Sequence, residues 1–131
     1  MKEQQLSAQT WTTSQLAELT DGEELVLVLT HAEKPVLRVP VWMVTVGGEA
    51  YVRSYLGVKS GWYRRVMAEQ RQAISLGGVD VPVDFELVPV TAAVNSGINE
   101  AYITKYATDP YRDYMVLPLA LEATLHILPA G

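Results

Sequence analysis

The sequence contains no cysteine, so it carries no disulfide scaffold, no thiolate zinc site and no cysteine nucleophile. Charge is scarce as well: charged residues are 19% of the chain against 49% apolar. That balance folds rather than staying disordered. So low a surface charge implies that part of the surface is covered, and a second copy of the chain is the expected cover. No stretch of about 18 apolar residues occurs, which excludes a membrane-spanning helix. The opening Met1-Lys-Glu-Gln-Gln-Leu-Ser has no apolar core of a secretory signal, so a cytoplasmic location is expected. A Walker loop, a dinucleotide glycine motif and a Gly-x-Ser-x-Gly elbow are all missing, as is any internal repeat. His31 and His126 have no partner at metal-ligand spacing, and Glu100, Asp109 and Asp113 lack calcium-loop spacing. No metal site is expected.

What is present fits one domain over residues 1–131, with residues 1–10 polar and expected to be loose. The net charge of −5 argues against nucleic-acid binding. The charge is segregated, however. From Lys34 to Arg71 the chain carries Lys34, Arg38, Arg53, Lys59, Arg64, Arg65 and Arg71 against only Glu49 and Glu69. An acidic protein with one basic window suits capture of a small anion; scattered solvated arginines are the alternative.

Thr12-Thr13-Ser14 offers caps for a short helix carrying Leu16 and Leu19, stopped at Asp21-Gly22. Glu24–Thr30 reads as a strand. Val36–Val46 reads as a longer one, in which Pro40 demands an edge position or a bulge. Gly47-Gly48 is a hairpin turn leading into a strand over Glu49–Tyr55. Ser60 caps a helix from Gly61 to about Gln70. A second Gly-Gly turn, at Gly77-Gly78, joins Gln72–Leu76 to Val79–Val90. In that last strand Val79, Val81, Val83, Phe85 and Leu87 alternate with Asp80, Pro82, Asp84 and Glu86, a period of two with one face in a core. The acids are the expected solvated exterior. Asn95–Thr108 reads as a helix with Ile98, Tyr102 and Tyr106 at helical spacing, and Ala123–Leu128 as a final strand. Tyr102, Tyr106, Tyr111 and Tyr114 form an aromatic stripe, first a packing surface and second a lid. The fold class is mainly β (α+β): a split β-barrel of about six antiparallel strands with two or three short helices, closure removing exposed edges.

The chemistry concentrates in Tyr51–Arg65. Arg53 and Ser54 end a strand. Gly57 and Gly61 let backbone approach a ligand, and Ser60 opens a helix whose free N–H groups suit a phosphate. Lys59 and Arg64 add charge, Arg38 could reach the same mouth, and Trp62 and Tyr63 offer flat surfaces. Adjacent helix residues diverge by about 100°, so only one of the aromatic pair enters the core. Val66 lies four residues after Trp62, which makes Trp62 the core member and Tyr63 the ligand-facing one. Arg53 and Arg64 are expected to act together on one anion.

Trp11, Val41-Trp42-Met43-Val44, Tyr51-Val52-Arg53-Ser54, Trp62-Tyr63-Arg64, Ala101-Tyr102, Lys105-Tyr106, Thr124-Leu125 and Pro129 together resemble a bacterial family known as domain of unknown function 2255, over residues 11–129. More distantly, Lys34-Pro35-Val-Leu-Arg38-Val-Pro40, Tyr51–Ser54 and Trp62-Tyr63 are similar to the deazaflavin-dependent nitroreductases, split barrels related to the pyridoxamine-phosphate oxidases. The Gly-Arg-Lys-Ser-Gly element of those enzymes is here reduced to His31-Ala-Glu-Lys34, and the asparagine after the Trp-Tyr pair is Arg65 or absent. The resemblance implies a homodimer that binds a phosphorylated cofactor, FMN or a deazaflavin, through Lys34, Arg38, Arg53, Ser54, Lys59, Ser60, Tyr63 and Arg64. An oxidoreductase activity would follow. The competing expectation is a split barrel that has lost its cofactor and serves as a small-ligand-binding or protein-interaction module.

Overall fold

The structure is a computed structural model and describes residues 10–130. The looseness expected at the start of the chain therefore falls, up to residue 9, outside the described residues. Helix α1 (Thr13–Asp21) starts at a capping box: Gln15 N donates to the Thr12 hydroxyl, and Thr12 N donates to the Gln15 side chain, which satisfies two otherwise orphaned donors. There follow β1 (Leu25–Leu29), β2 (Leu37–Val41), β3 (Met43–Val46), β4 (Glu49–Arg53), a 3-10 turn (Gly57–Lys59), α2 (Gly61–Ala68), β5 (Arg71–Leu76) and β6 (Val79–Leu87). The chain ends with α3 (Val94–Lys105), a 3-10 helix (Arg112–Val116), α4 (Pro118–Glu122) and β7 (Thr124–Pro129). Both Gly-Gly hairpins hold positive φ at each glycine, the geometry that two-residue turns require.

The seven strands make one antiparallel sheet in the order β2-β1-β5-β6-β7-β4-β3, curled into a half-barrel. The long strand expected over Val36–Val46 is two strands, and this accounts for a seventh strand. β2 ends its ladder on β1 at Val41, opposite Leu25, and β3 begins its ladder on β4 at Met43, opposite Val52. Between them stands Trp42 alone, carrying the chain from one edge of the sheet to the other. Its ring stacks on Tyr106, with centroids 4.2 Å apart and planes 6° from parallel. The Tyr102 hydroxyl donates to its carbonyl at 2.8 Å. Pro40 lies on β2, an edge strand, where a missing N–H is tolerated.

The inner face of the sheet forms the main core. Leu27, Leu29, Ile74, Val83, Phe85, Leu125 and Ile127 are almost wholly buried, with Leu19 from α1 and Val66 from α2 closing it. Each such side chain contributes roughly 1.5–3 kcal/mol by leaving water. The alternation read in β6 holds at its centre, but Val79 and Leu87 run past the core and are exposed. A second cluster forms on the outer face. There α3 lays Ile98 and Tyr102, with Tyr106 following, against Val44 of β3 and Tyr51 of β4. The outer acids pair with basic neighbours: Asp80 with Arg38 and Asp84 with Arg71. Among the described residues no helix is long and apolar enough to cross a membrane.

Candidate functional site

A cleft of about 690 Å³ opens where the two edges of the sheet come together, within the size range of small-molecule sites. Val39, Pro40 and Val41 of β2 form one wall, and Trp42 stands at its end. Arg53 and Ser54, at the end of β4, form the floor. Tyr55, Leu56, Ser60, Gly61 and Trp62 come from the loop and from the start of α2. Tyr111, Tyr114 and Met115 close the far side, and Glu24 stands at the rim. Tyr111 and Tyr114 stack on one another at 5.9 Å.

Arg53 is buried, 2% exposed, and its guanidinium is fully engaged. Nε donates to Thr124 Oγ1 at 2.9 Å. One terminal nitrogen donates to Asn99 Oδ1 at 2.5 Å and to the Met115 carbonyl at 3.0 Å. The other reaches Asn95 Oδ1 at 3.0 Å and the Asn95 carbonyl at 3.5 Å. The guanidinium lies 5.9 Å from the centre of the Tyr102 ring, and the Arg53 amide donates to the Tyr102 hydroxyl at 3.0 Å. Burial pulls the Arg53 pKa below its ordinary value and pushes that of Tyr102 upward. Arginine nonetheless stays protonated in proteins. Arg53 thus ties β4, β7, α3 and the 3-10 helix into one unit behind the cleft.

Ser54 is equally buried, and its Oγ has no hydrogen-bond partner among the described residues. An orphaned buried hydroxyl costs about 1–3 kcal/mol. Its residue lines the cleft, which makes it a buried polar group there that lacks a partner. Ser60, also buried, caps α2 by accepting from Tyr63 N at 3.3 Å.

Of the eight residues expected to bind a cofactor, Arg53, Ser54 and Ser60 line the cleft. Lys34 is exposed in a turn after His31. Arg38 is exposed on β2, forked onto Asp80 at 2.9 and 3.3 Å. Lys59 and Arg64 are exposed, and neither lines the cleft, so Arg53 and Arg64 do not share it. Tyr63 and Trp62 are placed the other way round from the expectation. Tyr63 is 4% exposed in the inner core, and Trp62 is half-buried on the cleft wall. The buried stripe of α2 is Tyr63 with Val66, three residues apart, rather than Trp62 with Val66. Because the first turn of α2 borders the cleft, Trp62 faces out into it.

The sequence reading missed the acceptors of Arg53. Asn95 and Asn99 stand four apart on one side of α3, beside Ile98 and Tyr102. Two amides at that spacing within an otherwise buried face were the signal. It also left Trp42 inside a strand. Among the described residues no group of three His, Asp or Glu could hold a metal.

The family described as an uncharacterized protein conserved in bacteria, DUF2255, matches residues 15–127. No curated protein matches the sequence. Several solved structures share the fold. An F420-H2-dependent reductase superposes with a TM-score of 0.60 at 16% identity, covering 81% of this chain and 93% of that one. A FAD-binding protein from Mesorhizobium loti gives 0.59 at 13% identity, covering 92% and 90%. A domain-swapped dimer gives 0.58 at 16% identity, covering 97% and 93%. At these identities the likeness is one of fold.

Proposed function

For this chain, which belongs to the DUF2255 family, we propose that the cleft holds the flat ring of a flavin or deazaflavin, in a homodimer, and that the protein is an oxidoreductase. The observation that carries the reading is the unpartnered Ser54 hydroxyl on the floor of an aromatic-walled cleft. Trp62, Tyr111 and Tyr114 present flat faces suited to a conjugated ring. Such a group, when bound, supplies hydride transfer. The chain's own part is to hold and orient it: Ser54 offers a hydrogen bond to a ring heteroatom, and the aromatic walls exclude water. The phosphate of FMN finds no free cation among the lining residues, since Arg53 is engaged. Lys34, Lys59 and Arg64, all exposed, are the expected cations outside the cleft lining that remain for it. The fold it shares with an F420-H2-dependent reductase and a FAD-binding protein supports the ligand class.

The homodimer is supported by apolar surface beside the cleft. Tyr55, Leu56, Val58, Leu117 and Leu119 are about half exposed or more, and Leu119 meets the 3-10 turn at Gly57. Adjoining exposed apolar residues of this kind mark contact surfaces.

A second reading, a ligand-binding or interaction module without cofactor, is favoured by one observation: Arg53 and Arg38, two of the arginines expected to hold the phosphate, are both already bonded within the chain. Titration of purified protein with FMN and with F420, followed by tryptophan quenching and the visible spectrum, separates the two. Saturable binding of either supports the cofactor reading. No saturation by either, with the fold intact by circular dichroism, selects the second.

A further inference from the structure

The guanidinium of Arg53 is a buried cation without a counter-ion among the described residues. Arginine has five N–H donors, and all five go to neutral oxygens: the Thr124 hydroxyl, the Asn95 and Asn99 amides, and the Asn95 and Met115 carbonyls. Buried charges are ordinarily paired. The charged and titratable groups of the surrounding elements do not supply the pair. Tyr102 of α3 holds its proton more firmly than usual because it is buried. Asp113 of the 3-10 helix faces Arg112 at 3.4 Å. Glu100 of α3 is exposed, and Glu24 stands exposed at the rim of the cleft. Tyr111 and Tyr114 are exposed and stack on one another. Behind the cleft, therefore, stands a positive charge with no free donor, and Ser54, the next residue of the lining, carries a hydroxyl with no partner among the described residues.

These two features are complementary. A neutral ring would satisfy Ser54 and leave the cation uncompensated. An inorganic phosphate would find charge but no second donor from Arg53. We propose that the cleft selects the anionic form of a planar, weakly acidic ring compound, with Ser54 Oγ donating to its oxygen and Arg53 acting through space as a positioning residue. The delocalised negative charge of such a ring lies along the floor while its faces rest on Trp62 and the tyrosines. The inference rests on the reading of the cleft as a ligand site, though not on which cofactor it holds.

The test uses 4-nitrophenol, whose neutral and anionic forms differ in colour, titrated into the full chain at a series of pH values. An apolar cleft without a nearby cation favours the neutral form and raises the midpoint of the probe. Here the anion is expected to bind about tenfold more tightly than the neutral phenol, lowering the midpoint of the bound probe by about one unit. Ser54→Ala should weaken binding of the anion and of the neutral phenol alike, each about fivefold, the scale of one lost hydrogen bond, so that the lowered midpoint is kept. Arg53→Lys, which keeps the charge, should retain most of the shift, and Arg53→Gln should abolish it. Since Arg53→Gln could fail to fold, the wild-type midpoint stands as the deciding measurement. An unchanged or raised midpoint, no saturable binding, or Ser54→Ala binding like wild type overturns the proposal. If 4-nitrophenolate binds as expected while FMN and F420 do not, the cofactor reading fails and this inference stands. If a flavin binds and the probe midpoint does not fall, the reverse holds.

Discussion

The reversed placement of Trp62 and Tyr63 gives a direct test of the site. Tyr63 is 4% exposed and shares the core stripe of α2 with Val66, which is wholly buried. Tyr63→Ala removes a ring from the inner core, where partial collapse leaves a cavity, and should cost about 3–5 kcal/mol. For a chain of this length that corresponds to a fall in Tm of roughly 10–20 °C. Tyr63→Phe keeps the ring and should lose far less. Trp62 is half-buried on the cleft wall. Trp62→Ala should cost about 1–2 kcal/mol of stability, because only part of its surface is out of water. Its main effect should fall on ligand affinity, by about 2- to 10-fold, the scale of one aromatic contact. Thermal melts and urea titrations of the three variants, with binding titrations on each that folds, measure both axes. A Trp62→Ala protein that melted as low as Tyr63→Ala and bound ligand unchanged would refute the placement.

Further expectations concern the second cluster, the alkaline limit, the turn at Gly57 and the assembly. Tyr102→Phe strips a partner from the Arg53 amide and the Trp42 carbonyl, so urea unfolding should show a loss of about 2–4 kcal/mol; a loss under about 1 kcal/mol contradicts the bonding described. Burial pushes the Tyr106 hydroxyl up to about 12. Its folded-state pKa is thus above the unfolded value near 10, so its stabilisation is whole below pH 10 and is lost as pH rises from 10 to 12. Stability should fall by about 1.4 kcal/mol per pH unit for this group in that window, and Tyr106→Phe should flatten the slope by that amount. The half-buried Lys105, its pKa lowered by desolvation, works in the opposite sense, adding stability as pH climbs towards its ordinary 10.5. Gly57 sits at φ +78°, and a Cβ there would lie 3.3 Å from Leu119 Cδ2. Gly57→Ala should cost about 1–2 kcal/mol, and a urea midpoint at or above that of wild type would count against it. Light scattering at micromolar concentration should report a dimer, and a monomer would remove the homodimer from the proposed function.

Much of the fold was legible because it is written in local signals. The two Gly-Gly hairpins, the Thr12 and Ser60 caps and the alternation of β6 each depend on residues within a few positions. The break at Trp42 was not legible, since Val41, Trp42 and Met43 all favour extended backbone. What divides them is the long-range choice of pairing partner, β1 on one side and β4 on the other. Of the site, the segment was found and its orientation was not. Arg53 and Ser54 stand where the cleft is, but whether a basic side chain faces solvent or a bed of amides depends on what packs over it. Asn95, Asn99 and Thr124 arrive from elements 42 to 71 positions away. On α2, an i+3 and an i+4 pairing with Val66 both describe a helix, and only the position of the sheet decides between them.

β7 is the last strand of the chain, yet in the sheet it is interior, held between β6 and β4. A ribosome delivers this chain from the other end. Until the segment Thr124–Pro129 has left the exit tunnel, β4 and β6 have no mutual partner, and the nascent polypeptide can pair β2-β1-β5-β6 and close the β3-β4 hairpin but cannot join the two. Arg53 waits as well, because its Nε acceptor is Thr124, the first residue of that strand. The cleft floor is therefore assembled only after the chain has been translated through Thr124, and a message cut short before that residue yields two unsatisfied strand edges rather than a smaller working protein. Such truncated products should be found with chaperones and proteases, not in the ligand-bound pool.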